Sequence, residues 1–301
     1  MQSIVVLAGG MSGEREVSLR SGKAVAAALT TAGFAVTFLE LGADPREHME
    51  VMEQAAAVFP VLHGAGGEDG TLQALLEAEH IRYVGSDAAA SALCFDKWQY
   101  RQKVVAGGLP MAEAALITQS ALPGSPLLQA AYVLKPYDGG SSLDTYIVRD
   151  PIRAPFDQIA TSFEHHPKML LEQLIIGTEL TVGILGETPL PVIEIIPPPD
   201  GEFDYENKYN GQSQELCPPE HVSKETQRAA QSLALKAHKL TGCRDFSRTD
   251  IMCDAEGNLL LLETNTIPGM TEQSLFPKMA RTANVDMPEL CKRLVEMALS
   301  R

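Results

Sequence analysis

Residues 247–274 read SRTDIMCDAEGNLLLLETNTIPGMTEQS, and the rest of the chain is organised around them. Two runs of strand-forming residues flank Ala255-Glu256-Gly257-Asn258, whose Gly and Asn tolerate the positive backbone angles of a tight loop. The stretch therefore predicts an antiparallel hairpin. A four-residue loop sets Asp250 opposite Glu263. Side chains alternate faces with period two, so Arg248, Asp250, Glu263 and Asn265 share one face. Two carboxylates and an amide are hard oxygen ligands, the kind magnesium takes while keeping waters and bridging to phosphates. A hairpin with one wet, charged face is the alternative these residues leave open.

The N-terminal quarter alternates strand and helix. Runs at 4–8, 35–39 and 57–62 read as strands, 18–32 and 71–79 as helices, and 83–84 as a short further strand. That order predicts an open parallel α/β sheet with crossover helices. Ligands of such sheets collect at the carboxyl ends of the strands, where the Gly-rich stretches 9–13 and 63–70 lie. Gly9-Gly10-x-x-Gly13 has the wrong spacing for a dinucleotide fingerprint. Glu14 and Glu16 also place carboxylates at a helix start, where a pyrophosphate would be repelled and an ammonium welcomed. Glu14 reads equally as a partner of the helix dipole, and His63 as a structural histidine.

Helical segments at 87–95 and 97–106 end at Gly107-Gly108-Leu109-Pro110, punctuation that marks a boundary. Strand-like runs at 114–117, 132–136, 145–148 and 169–172, with a helix within 157–164, then predict antiparallel α+β structure. Between two of these runs lies KPYDGGSS (135–142), a small-residue loop whose amides and hydroxyls suit phosphate oxygens, with Lys135 supplying charge. It is not a Walker loop. Strands at 179–185 and 190–196 flank a turn at 186–189. Residues 197–219 predict an irregular segment, either an active-site lid or a flexible solvated loop. Helices follow at 223–240 and at 287–299, the latter capped by Asp286.

The chain has 301 residues, 45% of them hydrophobic, enough for two or three domains with a sizeable core. Its formal net charge of -15 opposes nucleic acid or an anionic membrane as a general partner. An anionic small substrate would need a local cluster of Lys and Arg. Five cysteines without C-x-x-C spacing disfavour a disulfide framework and a zinc site. With no signal peptide and no apolar run long enough to span a bilayer, residence in the cytoplasm is expected.

In order and spacing, one set of motifs resembles the D-alanine:D-alanine ligases, a family of the ATP-grasp fold. The set is Glu14-Arg15-Glu16-Val17-Ser18-Leu19, His63-Gly64-x-Gly66-Gly67-Glu68-Asp69-Gly70, Gly140-Ser141-Ser142, Lys208-Tyr209, Arg248-x-Asp250 and Glu263-x-Asn265-x-x-Pro268-Gly269-Met270-Thr271. The resemblance spans about residues 4–299. It implies a parallel-sheet domain (1–92), a central α+β ATP-grasp domain (93–174) and a C-terminal ATP-grasp domain (175–301) with a lid at about 200–219. It also implies ligation of two D-alanines through a D-alanyl phosphate, with ATP as phosphoryl donor, for peptidoglycan precursors in a bacterial cytoplasm, by a homodimer. By the same resemblance, Asp250, Glu263 and Asn265 hold two Mg2+ (or Mn2+) ions, and Lys97, Lys135 and Lys208 contact phosphates. Glu172 and Glu179 match the adenine hinge and ribose positions. Glu14, linked to Ser141 and Tyr209, takes the first D-alanine's ammonium. Arg248 and the Gly269 amide form an oxyanion hole, Ser274 and the Leu275 amide take the second carboxylate, and His63 stands on the substrate side.

The chain departs from the family pattern at Gly139 (commonly Glu), Asp144 (Gly), Ser247 (Gly) and the hinge Glu172-Gln173-Leu174. Relatives that make D-alanyl-D-lactate carry a His where this chain has Tyr209, so an amine acceptor is expected. Competing readings are a related ligase that takes D-serine second, a dinucleotide oxidoreductase, and a nucleotide-binding protein without catalysis. The oxidoreductase lacks its fingerprint, and a non-catalytic protein would not need Arg248, Asp250, Glu263 and Asn265 together.

Overall fold

The computed structural model describes residues 2–139, 144–198 and 213–301, and its three sheets follow one another along the chain. Strands β1 (Ser3–Gly9), β2 (Ala35–Leu41) and β3 (Ala57–Pro60) form a parallel sheet in the order β2-β1-β3. Ile4 to Ala8 are buried without interruption, as a parallel strand covered on both faces requires. The intervening helix α1 (Arg15–Thr31) starts earlier than the expected 18, because its first turn is closed over Glu14, whose carbonyl accepts the Ser18 N–H. Ser18 instead lies inside the helix and is fully buried. Its hydroxyl donates to the Val61 carbonyl at 2.6 Å and accepts the Gly9 N–H at 2.8 Å, tying the ends of β1 and β3 together. The expected strand at 83–84 is reduced to a single bridge between Tyr83 and Val58.

Helices α2 (Met49–Glu53), α3 (Thr71–Ala78), α4 (Ala88–Phe95) and α5 (Lys97–Ala106) lead to an antiparallel sheet. It is ordered β4 (Ala114–Ile117), β7 (Met169–Gln173), β5 (Tyr132–Lys135), β6 (Tyr146–Val148), and α6 (Phe156–His165) connects β6 to β7. The third sheet runs β11 (Gln214–Leu216), β10 (Ile193–Ile196), β8 (Gly177–Leu185), β12 (Phe246–Asp254), β13 (Leu259–Asn265), with β9 (Thr188–Pro189) on the side of β8. Two expectations are corrected here. The turn after β8 is only Gly186-Glu187, since Thr188 already pairs with Leu185. The span expected to be irregular up to 219 contains β11, which pairs with β10.

Helix α7 (Lys224–Thr241) is capped by Ser223, which accepts the Thr226 N–H at 3.1 Å, and stops at Gly242 with a φ of 79°. Its Ala230, Ala234 and Ala237 pack on Leu180, Val182 and Ile184 of β8. Helices α8 (Leu275–Thr282) and α9 (Met287–Leu299) complete the chain, and Asp286 caps α9 by accepting the Glu289 N–H. Phe59 of β3, Phe246 of β12 and Phe276 of α8 stack edge to face, with centroids 6.5 and 5.5 Å apart. This aromatic chain runs through the largest core cluster and joins the N-terminal sheet to the hairpin.

The hairpin reaches the expected pairing by an unexpected route. Cys253, Met252 and Ile251 pair with Leu259, Leu260 and Leu261, a register that would set Leu262 against Asp250. A bulge between Ile251 and Asp250 shifts the pairing by one residue, and Asp250 then faces Glu263 and Arg248 faces Asn265. Without the bulge Glu263 would point to the opposite face. That opposite face is lined by hydroxyls. Thr249 and Thr264 lie 3.0 Å apart, and the fully buried Tyr100 reaches Thr264 at 2.8 Å.

Also behind the hairpin, buried His238 of α7 bonds Ser247 at 2.7 Å. Burial lowers its pKa from 6.5 to about 4. The unfolded chain binds this proton more readily between those values, so stability is full above pH 6.5 and is lost as pH falls towards 4. Chemical denaturation across this range should show His238→Gln removing about 3 kcal/mol of the pH-dependent loss. An unchanged pH slope in the variant would contradict the assignment.

Candidate active site

A cavity of about 640 Å3 lies where the hairpin meets the loops of the parallel sheet and the start of α8. Its wall includes Glu14, His63, Lys97, Arg248, Glu263, Asn265, Gly269, Ser274 and Leu275, all site residues expected from the sequence. Lys135, Glu172, Glu179 and Asp250 lie outside that lining but connect to it through charge. Ser141, Lys208 and Tyr209 fall outside the described residues, as does most of the expected lid.

Glu14 and His63 arrive from the carboxyl ends of β1 and β3, as ligand groups of a parallel sheet do. Ser12 fixes their approach: its hydroxyl donates to the His63 carbonyl at 2.6 Å and accepts the Glu14 N–H at 3.2 Å. Gly64 has a φ of 73°, and a Cβ there would sit 2.9 Å from the Glu14 carboxylate, so only glycine fits. The Glu68 carboxylate accepts the Gly64 N–H at 2.8 Å and stands 3.8 Å from the His63 ring. His63 is 5% exposed, and its Nε2 has no hydrogen-bond partner among the described residues. In the sequence Glu68 stands only as part of a motif; nothing in the spacing of a loop says that its sixth residue folds back on its start.

The front face of the hairpin is not the wet charged surface that the sequence left open. Asp250 is 6% exposed, and Arg248 grips it with two bonds, Nε at 3.0 Å and Nη2 at 2.8 Å. Thr181, opposite Asp250 on β8, donates its hydroxyl to the same carboxylate at 2.6 Å. Burial works against the Arg248 charge, but Asp250, Glu263 and Glu68 outweigh it and push its pKa up.

Two lysines close the site from the other side. Asp96 caps α5 by accepting the Trp98 and Gln99 N–H groups, which places Lys97 at the first helical position. The Lys97 ammonium lies 3.4 Å from Glu263 and donates to the carbonyl of Gly139, within the small-residue loop. Lys135, at the end of β5, pairs with Glu172 of β7 at 2.6 Å. Burial would lower its pKa, yet Glu172, Glu263 and Glu179 together raise it, so the ammonium is retained. Asp144, where the family pattern has Gly, takes a φ of 51° and is held by Ser162 at 3.3 Å and His166 at 3.2 Å. Those two contacts hold in place a backbone conformation that glycine would adopt without cost.

Helix α8, absent from the elements expected from the sequence, supplies the last wall. Ser274 stands at its N-cap with the Leu275 N–H behind it, a helix start that favours a carboxylate. The Ser274 hydroxyl lies 2.8 Å from that of Thr271 and accepts the Thr271 N–H at 3.1 Å. A Cβ on Gly269 would come within 2.9 Å of the same oxygen, so this turn needs glycine for close approach.

Asp250, Glu263 and Asn265 offer hard oxygens on one face, a donor set that fits a magnesium-class cation. Among the described residues no three His, Cys, Asp or Glu side chains are grouped to hold a metal. A cation here would share its coordination with Asn265 and with oxygens of a ligand, as magnesium does when bridging phosphates.

Residues 40–86 match the family model for the D-ala D-ala ligase N-terminus, and residues 108–296 match that for its C-terminus. The chain is 42% identical to the D-alanine–D-alanine ligase of Xanthobacter autotrophicus, over 98% of its own length and 97% of the relative's. It is 40% identical, over the same shares, to that of Rhizobium meliloti. Among solved structures, the D-alanine–D-alanine ligase of Bacillus anthracis superposes with a TM-score of 0.88 at 29% identity, covering 100% of this chain and 98% of that one. The ATP complex of the same enzyme gives 0.85 at 27%, with the same coverage. With both family models in order and full-length relatives at this identity, the chain belongs to the D-alanine–D-alanine ligase family, on the ATP-grasp fold.

Proposed function

We propose that this protein joins two D-alanines at the expense of ATP, through a D-alanyl phosphate, as a step in making peptidoglycan precursors. One observation carries the reading. A single cavity is faced by an ammonium-seeking carboxylate (Glu14), a cation (Arg248), a metal-fit face (Glu263 and Asn265, with Asp250 behind) and a carboxylate-seeking helix start (Ser274).

The chemical difficulty is that a carboxylate must approach a triphosphate, so the task is charge neutralisation. Lys97 and Lys135 supply fixed positive charge for the phosphates, and Lys208 is assigned the same work from its motif. Magnesium held by Asp250, Glu263 and Asn265, two ions by analogy with the family, would screen the remaining phosphate charge. Glu14 orients the first D-alanine by its ammonium, with Ser141 and Tyr209 in support and His63 beside it. Arg248 and the Gly269 N–H face the carbonyl oxygen as the second amine attacks and negative charge gathers there. The Leu275 N–H and Ser274 hydroxyl hold the second carboxylate. Glu172 and Glu179 are assigned to the base and ribose of ATP. The three sheets support three domains, with a division at about 174 between β7 and β8; the division expected at 92 falls inside α4 (Ala88–Phe95), and the lid expected at about 200–219 lies mostly outside the described residues, its end carrying β11. Residence in the cytoplasm and a homodimer complete the proposal. Among the described residues no helix is long and apolar enough to cross a membrane.

With ATP and magnesium, phosphate release should require D-alanine, match dipeptide formed, and not occur with L-alanine. Phosphate release independent of D-alanine would overturn the proposal. Tyr209 predicts that D-lactate is not coupled at neutral pH; depsipeptide formed alongside dipeptide would contradict it. Arg248→Lys keeps a charge beside Asp250 but loses the planar fork. Turnover should fall about 100- to 1000-fold with little change in melting temperature, and near-normal turnover would remove Arg248 from the oxyanion site.

A further inference from the structure

Two cysteines that the mechanism does not use stand against each other beside the cavity. Cys94 is in the last turn of α4 and Cys243 lies between α7 and β12, 149 residues apart in sequence, yet their sulfurs are 3.7 Å apart. Both are nearly buried, at 6% and 8% exposure. Cys94 nevertheless lines the cavity, next to Phe95 and Lys97, so a small solute in the cavity can reach the pair. The Thr241 hydroxyl touches the Cys243 sulfur at 3.2 Å. Of the pair, Cys94 lines the cavity and Cys243 does not, so an entering oxidant meets Cys94 first, with Cys243 behind it as the partner thiol. All five cysteines are free thiols.

We propose that Cys94 and Cys243 form an oxidisable dithiol in the wall of the cavity, closed to a disulfide by a hydroperoxide and reopened by a thiol reductant. In the first step the Cys94 sulfur, the one at the cavity wall, attacks a peroxide oxygen and the O–O bond breaks. The thiol proton leaves with the departing oxygen as water, and a sulfenic acid remains on Cys94. The Cys243 sulfur then attacks the sulfenic sulfur, the S–O bond breaks, and the Cys243 proton leaves with that oxygen as a second water. Two thiols lose two electrons, and hydrogen peroxide is reduced to two waters. To bond, the sulfurs close from 3.7 Å to about 2.05 Å, a movement the two side chains share.

The cross-link would fix the α4–α5 corner, which carries Lys97, to the segment that enters the strand of Arg248. These are the cations facing Glu263 and Asp250, so the closed form constrains the geometry in which they meet substrate. The expected loss of turnover rests on the ligase reading; formation of the bond does not.

The test treats the reduced full-length protein with hydrogen peroxide and reads both the disulfide map and phosphate release with D-alanine. The expected result is a mass loss of about 2 Da, a peptide joining Cys94 to Cys243, and a loss of turnover that dithiothreitol restores. Cys94→Ser and Cys243→Ser should each abolish the joined peptide and the reversible loss, measured against their own reduced activity. Cys217→Ser should retain both. Oxygen adducts at other cysteines with Cys94 and Cys243 still free, or full turnover by protein carrying the cross-link, would overturn the proposal. No phosphate release from the reduced protein would instead count against the ligase reading, while the peptide map still decided the dithiol.

Discussion

A one-residue shift in a β-ladder decides what the site can contain. The bulge between Ile251 and Asp250 moves Glu263 to the face that carries Arg248, Asp250 and Asn265. Side chains alternate strictly along a strand, so the same hairpin without the bulge would send Glu263 towards Thr249 and the buried hydroxyls behind the sheet. There it would meet Tyr100 and Thr264 and would cost several kcal/mol as an unpaired buried charge. The bulge thus separates two environments within a single hairpin. Charge lies in front, and a closed hydroxyl network with apolar packing lies behind.

The front face then explains how an acidic chain can handle anionic substrates. Its net charge is -15, but Arg248 and Lys97 line one cavity, Lys135 is linked to it by charge from outside the lining, and each is set against a carboxylate. Breaking a buried pair by removing one partner typically costs about 3–5 kcal/mol. Arg248–Asp250 and Lys135–Glu172 are such pairs and hold their side chains in place firmly, while the raised pKa values of Lys135 and Arg248 keep both charged throughout the neutral range. The aromatic contact from Phe59 through Phe246 to Phe276 brings the Glu14 end of the parallel sheet to the same place.

Much of this was legible from periodicity and punctuation. The apolar run 4–8, the helix ending at Gly242, the Asp286 cap and the pairing of Asp250 with Glu263 all follow from local rules. The last holds although the turn is tighter than four residues, because the extra residue of the bulge compensates for the closer pairing near the turn. What stayed hidden was tertiary. Helix α8 begins after a Gly-Pro-rich turn with a Ser at its cap and a Pro inside its first turn, and its pattern is clear only once Phe276 and Met279 are seen buried. Glu68 folds back on His63 through a loop that has no period. Strand β11 is only three residues long and exists through its pairing with β10.

The account stands or falls on whether the front face of the hairpin is a metal face. A crystal structure with Mn2+ and ADP, using the anomalous signal of manganese, would locate the cation directly. The expected result is manganese bound to oxygens of Asp250, Glu263 and Asn265 together with phosphate oxygens of the nucleotide. Manganese bound only elsewhere, with the Arg248–Asp250 and Lys97–Glu263 pairs intact beside bound nucleotide, would contradict it.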